Sequence, residues 1–322
     1  MNFQDLVKIE NAQFYLESAF KHSKKIGEKT YPRTSGDRFS RIRKTEKEKV
    51  RAFAANIDER FDKITKNFPS LDRMPEFYQE LIRSTLDYDM LKKSLGAVNW
   101  AKNSSKDISK EYERKVYSSR DETTVKRLMN EYYGRASSII KQISKNLLYL
   151  ENARQMMRSY PSLKTDLFTI SITGFPNIGK STLLSKITPA KPEIKDYAFT
   201  TKGLNQGYAN YGIRKVQFVD TPGVLDRDKK NAIEEQAYLV LKYLTSAIIY
   251  VIDLTEPYPL KKQEALLKGL KEYDKPIIVY LSKADIIHKD IIAKAKKKYK
   301  AVSDIESLNK KIEKTIKEYY FE

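Results

Sequence analysis

The chain contains no cysteine, so neither a disulfide framework nor a thiolate zinc site is open to it. Only two histidines occur, His22 and His288, which argues against histidine triads and clustered histidine metal centres. Long apolar runs are missing as well. The longest, 247–254 and 276–281, fall far short of the roughly 20 residues that span a bilayer. The opening Met1-Asn2-Phe3-Gln4-Asp5 lacks the basic and apolar regions of a secretory signal. We therefore expect a cytoplasmic protein with no membrane association, monomeric when free of partners. Acidic residues are in deficit: 42 Asp and Glu stand against 61 Lys and Arg, a net charge of +19. About +11 of this falls in residues 1–160 and about +8 in the remainder. Solubility accounts for such a surplus, and so does a polyanionic partner, whose encounter a positive field accelerates. Composition does not separate the two.

What is present divides the 322 residues into two halves. In 44–68, Val50, Phe53, Ile57, Phe61, Ile64 and Phe68 recur at gaps of three and four, one stripe of a helix that Pro69 ends. Shorter helices are expected over 75–86 and from Tyr88 towards Lys102, with another around Tyr112 and Val116. The longest is predicted over 119–157, opened by a capping box at Ser119-Arg120-Asp121-Glu122, spanning roughly 57 Å and kinked at Gly134. The pattern over 1–160 is that of an all-α helical bundle. Beyond Pro161, short β-branched runs at 167–173, 216–219, 247–252 and 276–281 alternate with helical patterns at 233–244 and 261–272. Such alternation predicts an α/β domain over 161–322, with a mostly parallel sheet and helices on both faces.

The chemistry sits in that second half. Gly174-Phe175-Pro176-Asn177-Ile178-Gly179-Lys180-Ser181, followed by Thr182, fits G-x-x-x-x-G-K-S between a strand and a helix, the setting of a P-loop. Gly174 and Gly179 let the backbone curl so that its N–H groups point at phosphate oxygens. Lys180 is placed to reach the β- and γ-phosphates, and the Ser181 hydroxyl to bind Mg²⁺. Asp220-Thr221-Pro222-Gly223 follows a strand. Alone it would be an ordinary turn, but paired with the upstream loop it assigns Asp220 to Mg²⁺ through a water and the Gly223 N–H to the γ-phosphate. In Ala198-Phe199-Thr200-Thr201-Lys202-Gly203, Thr201 is the expected switch hydroxyl on the same ion, with Thr200 as the alternative. Lys180, Thr201 and Gly223 are thus the expected catalytic groups for a Mg·GTP substrate.

Ser282-Lys283-Ala284-Asp285 supplies the choice of base. A carboxylate at Asp285 accepts two hydrogen bonds from guanine that adenine cannot donate, with the Lys283 stem against the base plane. Asp285 capping the next helix is the plainer alternative. Ser282 stands where this motif more often has asparagine, implying a shorter contact to the base edge. Ser303, in Ala301-Val302-Ser303, marks the expected last loop facing the base.

In this order these motifs resemble the Nog family of nucleolar GTP-binding proteins, Obg-related GTPases of the translation-factor class. The resemblance rests on 174–181, on Tyr197-Ala198-Phe199-Thr200-Thr201-Lys202 and on Val219-Asp220-Thr221-Pro222-Gly223-Val224-Leu225-Asp226. It extends back through Ser40-Arg41-Ile42-Arg43, Asn67-Phe68-Pro69, Pro75-Glu76-Phe77-Tyr78, Asp87-Tyr88-Asp89, Leu95-Gly96 and Leu148-Tyr149-Leu150-Glu151. It implies a short, archaeal-type member without the long C-terminal extension of eukaryotic ones. It also implies a ribosome-associated GTPase that binds GTP and GDP and helps mature the large ribosomal subunit by contacting ribosomal RNA. The basic segment Arg38, Arg41, Arg43, Lys44 and Arg51 is the expected RNA contact, although Glu46 and Glu48 dilute it and a solvated face is the plainer reading.

Two positions shape the expected turnover. Val224 stands where many GTPases place a water-orienting glutamine, which predicts slow intrinsic hydrolysis. Asn177 stands where related GTPases hold K⁺, with Arg227 a less favoured cationic substitute. A GTP-dependent RNA-binding scaffold with negligible hydrolysis, or a GTPase acting on another polyanion, remains open at this point.

Overall fold

The computed structural model describes residues 3–189, the backbone of 193–195, and residues 204–221 and 237–321. They fall into two units: 3–73 with 85–158, and 74–84 with 159–322. The first unit is helical, with α1 (Ala12–Arg33), α2 (Arg38–Asn67), α4 (Tyr88–Ser118), α5 (Glu122–Gln142) and α6 (Ser144–Arg158), whereas α3 (Glu76–Thr85) lies almost wholly in the second. Asn11, Asp37, Asp87 and Asp121 each accept the backbone N–H three residues on, satisfying a donor that a helix start would otherwise leave orphaned. The predicted stripe of α2 is buried at Val50, Phe53, Ile57, Phe61 and Ile64. Around it Phe53, Tyr112 and Tyr132 pack ring against ring, and the Tyr132 hydroxyl donates to the Val50 carbonyl (3.1 Å).

Several helix limits differ from expectation. Capped by Asp37, α2 begins at Arg38, six residues before the predicted start. The two predicted pieces at 88–102 and 112–116 are one 31-residue helix, α4. The long helix over 119–157 is two, interrupted at Ile143 rather than Gly134. The Ser144 hydroxyl donates to the Lys141 carbonyl (2.6 Å), a side chain intruding on the main-chain ladder. Asp121, not Ser119, caps α5. Ser119 instead closes α4, its hydroxyl donating to the Val116 carbonyl.

The second unit is built on a six-stranded sheet: β1 (Phe168–Thr173), β2 (Glu193–Lys195), β3 (Leu204–Tyr211), β4 (Arg214–Asp220), β5 (Ala247–Asp253) and β6 (Ile277–Ser282). The order is β2-β3-β4-β1-β5-β6. Strands β4, β1, β5 and β6 run parallel, and β2 and β3 add an antiparallel edge that sequence patterning did not reveal. Strand alternation assigns each side chain to a face. Ile170, Ile172, Ile249, Val251 and Ile278 pack with α7 (Lys180–Ile187) and α10 (Ile305–Phe321). Ile248, Tyr250, Ile252, Val279 and Leu281 pack with α8 (Leu260–Leu270) and α9 (Lys289–Tyr299). Every residue of β5 is buried, as a central parallel strand requires. The carboxyl ends of β1, β4, β5 and β6 therefore open on one edge, where a doubly covered sheet binds its ligands.

Candidate functional site

β1 runs out at Thr173 into the glycine-bent loop. Gly174 adopts φ +148, and a Cβ there would stand 2.8 Å from the Val251 carbonyl oxygen and 2.6 Å from Ile178 Cδ1, so only glycine fits. Gly179 is left-handed at φ +93 and opens α7 without any side-chain cap. The first-turn N–H groups of α7 are thus left to an anion. Asn177 is exposed and left-handed at φ 59, while Ile178 is fully buried and pins the loop. The Phe175 ring lies on Tyr258, centroids 4.7 Å apart, beside the partly exposed Pro176. Lys180 is 8% exposed, its ammonium folded back to the Phe175 carbonyl (2.8 Å), and Thr182 is exposed on the first turn of α7.

At the head of α7, Ser181 meets the end of β4. Its hydroxyl donates to Asp220 Oδ2 at 2.5 Å, and Asp220 is 7% exposed. Asn205, directly opposite Asp220 in the β3–β4 register, donates its amide to the same oxygen (3.1 Å) and approaches Ser181 Oγ (3.4 Å). Nothing in the sequence singled out Asn205, because it sits on the strand that was not anticipated. Thr221 follows β4 with its N–H and hydroxyl both donating to the Ile172 carbonyl.

The other end of the edge carries the base motif. Ser282 closes β6, and its Cβ lies 3.7 Å from where a Gly179 side chain would begin, so the loop from β6 stands against the phosphate loop. The Ser282 hydroxyl donates to the Ile252 carbonyl (3.2 Å). Lys283 is left-handed (φ 51), and its ammonium forms a 2.6 Å ion pair with Asp253 at the end of β5. The Asp253 side chain is wholly buried. Burial by itself would raise its carboxyl, but Lys283 and two hydrogen bonds from Thr255 outweigh it and hold the group below its ordinary value. Gln263 of α8 fastens the Asp253 backbone through both its N–H and its carbonyl. Asp253 follows the apolar run of β5 just as Asp220 follows that of β4, and that shared signal could have found it. Asp285 is exposed in the turn Ala284–Ile286. Ala301 and Val302 lie beside β6, with Val302 exchanging backbone bonds with Val279 and Leu281, which brings the partly exposed Ser303 to the same edge. Thr200, Thr201, Gly223, Val224 and Arg227 lie outside the described residues.

In the helical unit the predicted basic segment divides. Arg51 is taken up by Glu48 (3.0 Å) and Glu113 (2.6 Å), and Arg38 lies 3.3 Å from Glu122. Arg41 instead lies over Tyr31, 4.3 Å from its centroid, and Arg43 stands between Phe39 and Tyr117. Lys44 is exposed, and Lys47 shares the Tyr117 ring, which is 64% exposed. Aromatic rings, rather than carboxylates, therefore flank Arg41 and Arg43.

A family model described as the NOG1 N-terminal helical domain matches residues 3–164, and one described as a 50S ribosome-binding GTPase matches residues 169–283. An uncharacterized protein of Methanocaldococcus jannaschii is 39% identical, over 78% of this chain and 71% of its own. Nucleolar GTP-binding protein 1 of Drosophila melanogaster is 36% identical over 78% of this chain, but only 40% of its own length is covered. The chain thus spans well under half of such a nucleolar relative. Among solved structures, a putative nucleolar GTP-binding protein 1 from Plasmodium falciparum is 28% identical, covering 40% of this chain and 69% of that one at a TM-score of 0.34.

Proposed function

This chain belongs to the family of nucleolar GTP-binding protein 1, and from that premise we propose a GTP-binding and GTP-hydrolysing switch that acts in large-subunit ribosome assembly by contacting ribosomal RNA. The observation that supports it most is the meeting of Ser181 and Asp220 beside Lys180, at the head of a helix whose first N–H groups are uncapped. This pair suits Mg²⁺. Both donors are hard oxygens, and one hydroxyl with one carboxylate leaves positions for phosphate oxygens and water. Bound there, the ion would supply positive charge to the triphosphate.

The chain's own groups do the rest. Lys180 exchanges the Phe175 carbonyl for phosphate oxygens, and the loop N–H groups from Gly174 through Thr182 surround the β-phosphate. Asp220, steadied by Asn205, would help hold the ion through a water. Thr201 and Gly223 are assigned to the γ-phosphate side. Asp285 accepts the two guanine donors, Lys283 covers the base, and Ser282 and Ser303 line its edge. Val224 gives the attacking water no hydrogen bond, so turnover is slow until a partner completes the site. Arg38, Arg41, Arg43 and Lys44 contact RNA, while Arg51 is the weakest member of that set because Glu48 and Glu113 hold it. We place this activity in the cytoplasm, on ribosomal particles.

Sedimentation with large ribosomal subunits in GTP, GDP and a non-hydrolysable analogue tests the reading. Association should depend on the nucleotide, and Lys180→Ala should lose that dependence. Equal recovery in every nucleotide state, or none in any, contradicts it.

A further inference from the structure

Charge in the nucleotide-binding unit is concentrated in one stretch. Residues 260–300 hold twelve lysines against five Asp and Glu, whereas the rest of 161–322 holds sixteen basic and fifteen acidic residues. Nearly the whole surplus of that half falls on α8, α9 and their flanks. The two helices pack on the same face of the sheet, through Leu270 of α8 and Ala295 of α9. They are joined where Glu264 accepts from the Lys298 ammonium (2.7 Å) and the Tyr299 hydroxyl. Helical spacing extends a row on each side of this junction. Lys261, Glu264 and Lys268 share a stripe of α8, and Lys294 and Lys298 stand one turn apart on α9 with Lys297 beside them. All five lysines are exposed. Lys268, Lys294 and Lys297 form no ion pair among the described residues; Glu264 lies at the junction of the two rows, and Asp290 stands one turn before Lys294, beside His288 (3.3 Å).

Like charges on adjacent turns weaken a free helix, and this density does nothing for the core beneath it. It does suit a ligand that brings its own anions. Two rows of ammonium groups, on helices that meet at the Glu264–Lys298 contact, suit a strand of phosphates better than a flat lipid surface. We propose that α8 and α9 form a second RNA-backbone contact, a phosphate track separate from the basic segment at the start of α2. The proposal rests on the ribosomal-RNA reading above and adds to it where the nucleotide-binding unit itself touches RNA.

The test measures binding of the full chain to a labelled RNA hairpin, and to phosphatidylserine vesicles, over a series of KCl concentrations. The variant carries Lys268→Glu, Lys294→Glu and Lys297→Glu, and a milder one carries Gln at the same three positions. GTP affinity reports that each is folded. In the Glu variant RNA affinity should drop at least tenfold at low salt, and the slope of log K against log salt should flatten by about 2, with GTP affinity kept. The Gln variant should flatten the slope likewise, and decides the matter if the Glu variant fails to fold. An unchanged slope overturns the track, as does loss of vesicle binding with RNA binding intact. If Arg41→Glu with Arg43→Glu flattens the slope while the track variants do not, the track alone is wrong. If wild-type chain ignores RNA at every salt concentration, the track and the ribosomal-RNA reading fall together.

Discussion

Ser282 stands where asparagine is more often found, and its hydroxyl donates to the Ile252 carbonyl (3.2 Å). The buried Asp253 pairs with Ser282 in the β5–β6 register. It holds Lys283 from below, so the turn that presents Asp285 is anchored by an ion pair. Asp253→Asn should therefore weaken GTP binding about tenfold, near 1.4 kcal/mol. A double variant with Lys283→Met should lose little more than either single one. Calorimetric titration checks both, and additive losses would show that the two residues act separately. Phosphate binding was the most legible chemistry in the sequence because only glycine tolerates φ +148 at Gly174 against the Val251 carbonyl. Asn205 stayed hidden, since a lone amide acquires its role only when strand pairing sets it beside Asp220, whereas Asp253 carried the same signal as Asp220 at the end of an apolar strand.

At the level of elements, α3 is fastened by one side chain. The fully buried Tyr78 hydroxyl lies 2.9 Å from the carbonyls of Pro161 and Leu163 and accepts the Leu163 N–H. Tyr78→Phe removes the hydroxyl from this cluster while the Leu163 N–H keeps the Pro161 carbonyl (3.0 Å), which should cost about 0.5–1.5 kcal/mol in thermal unfolding. An unchanged melting temperature would contradict this anchoring. In α6, Glu151 accepts the Ile9 N–H and a two-pronged bond from Arg154. Burial works to raise its carboxyl, yet these bonds and Gln155 hold it at about 2, against 4.5 for the free side chain. The stabilisation is complete above pH 4.5 and is lost as pH falls through about 2. Acid titration of the helical unit should show this decline, and Glu151→Gln should flatten it over the same window. Apolar stripes made α2 and α5 legible. The join at Ile143 was not, because a serine back-bond rather than a glycine makes it, and the space around Gly134 is open. β3 escaped because Leu204–Tyr211 mixes amides, small residues and tyrosines and has none of the β-branched residues that mark β5.

For the whole molecule, α/β and all-α halves were legible from the change of hydrophobic period at Pro161. Assignment of residues 74–84 to the nucleotide-binding unit was not, since local pattern says nothing of which core a helix joins. Asn177, exposed and left-handed at the mouth of the phosphate loop, bears on turnover. If its side-chain oxygen holds a monovalent cation there, hydrolysis in KCl should exceed that in matched NaCl several-fold, and Asn177→Ala should equalise the two. Equal wild-type rates would remove K⁺ from the account. The most direct test of the central claim is titration of the full chain with GTP and ATP in Mg²⁺, alongside Lys180→Ala and Asp285→Asn. GTP should bind at least about a hundredfold tighter than ATP, Lys180→Ala should abolish triphosphate binding, and Asp285→Asn should shift preference towards xanthosine triphosphate. ATP held as tightly as GTP, or nucleotide retained undiminished without the Lys180 ammonium, would contradict it.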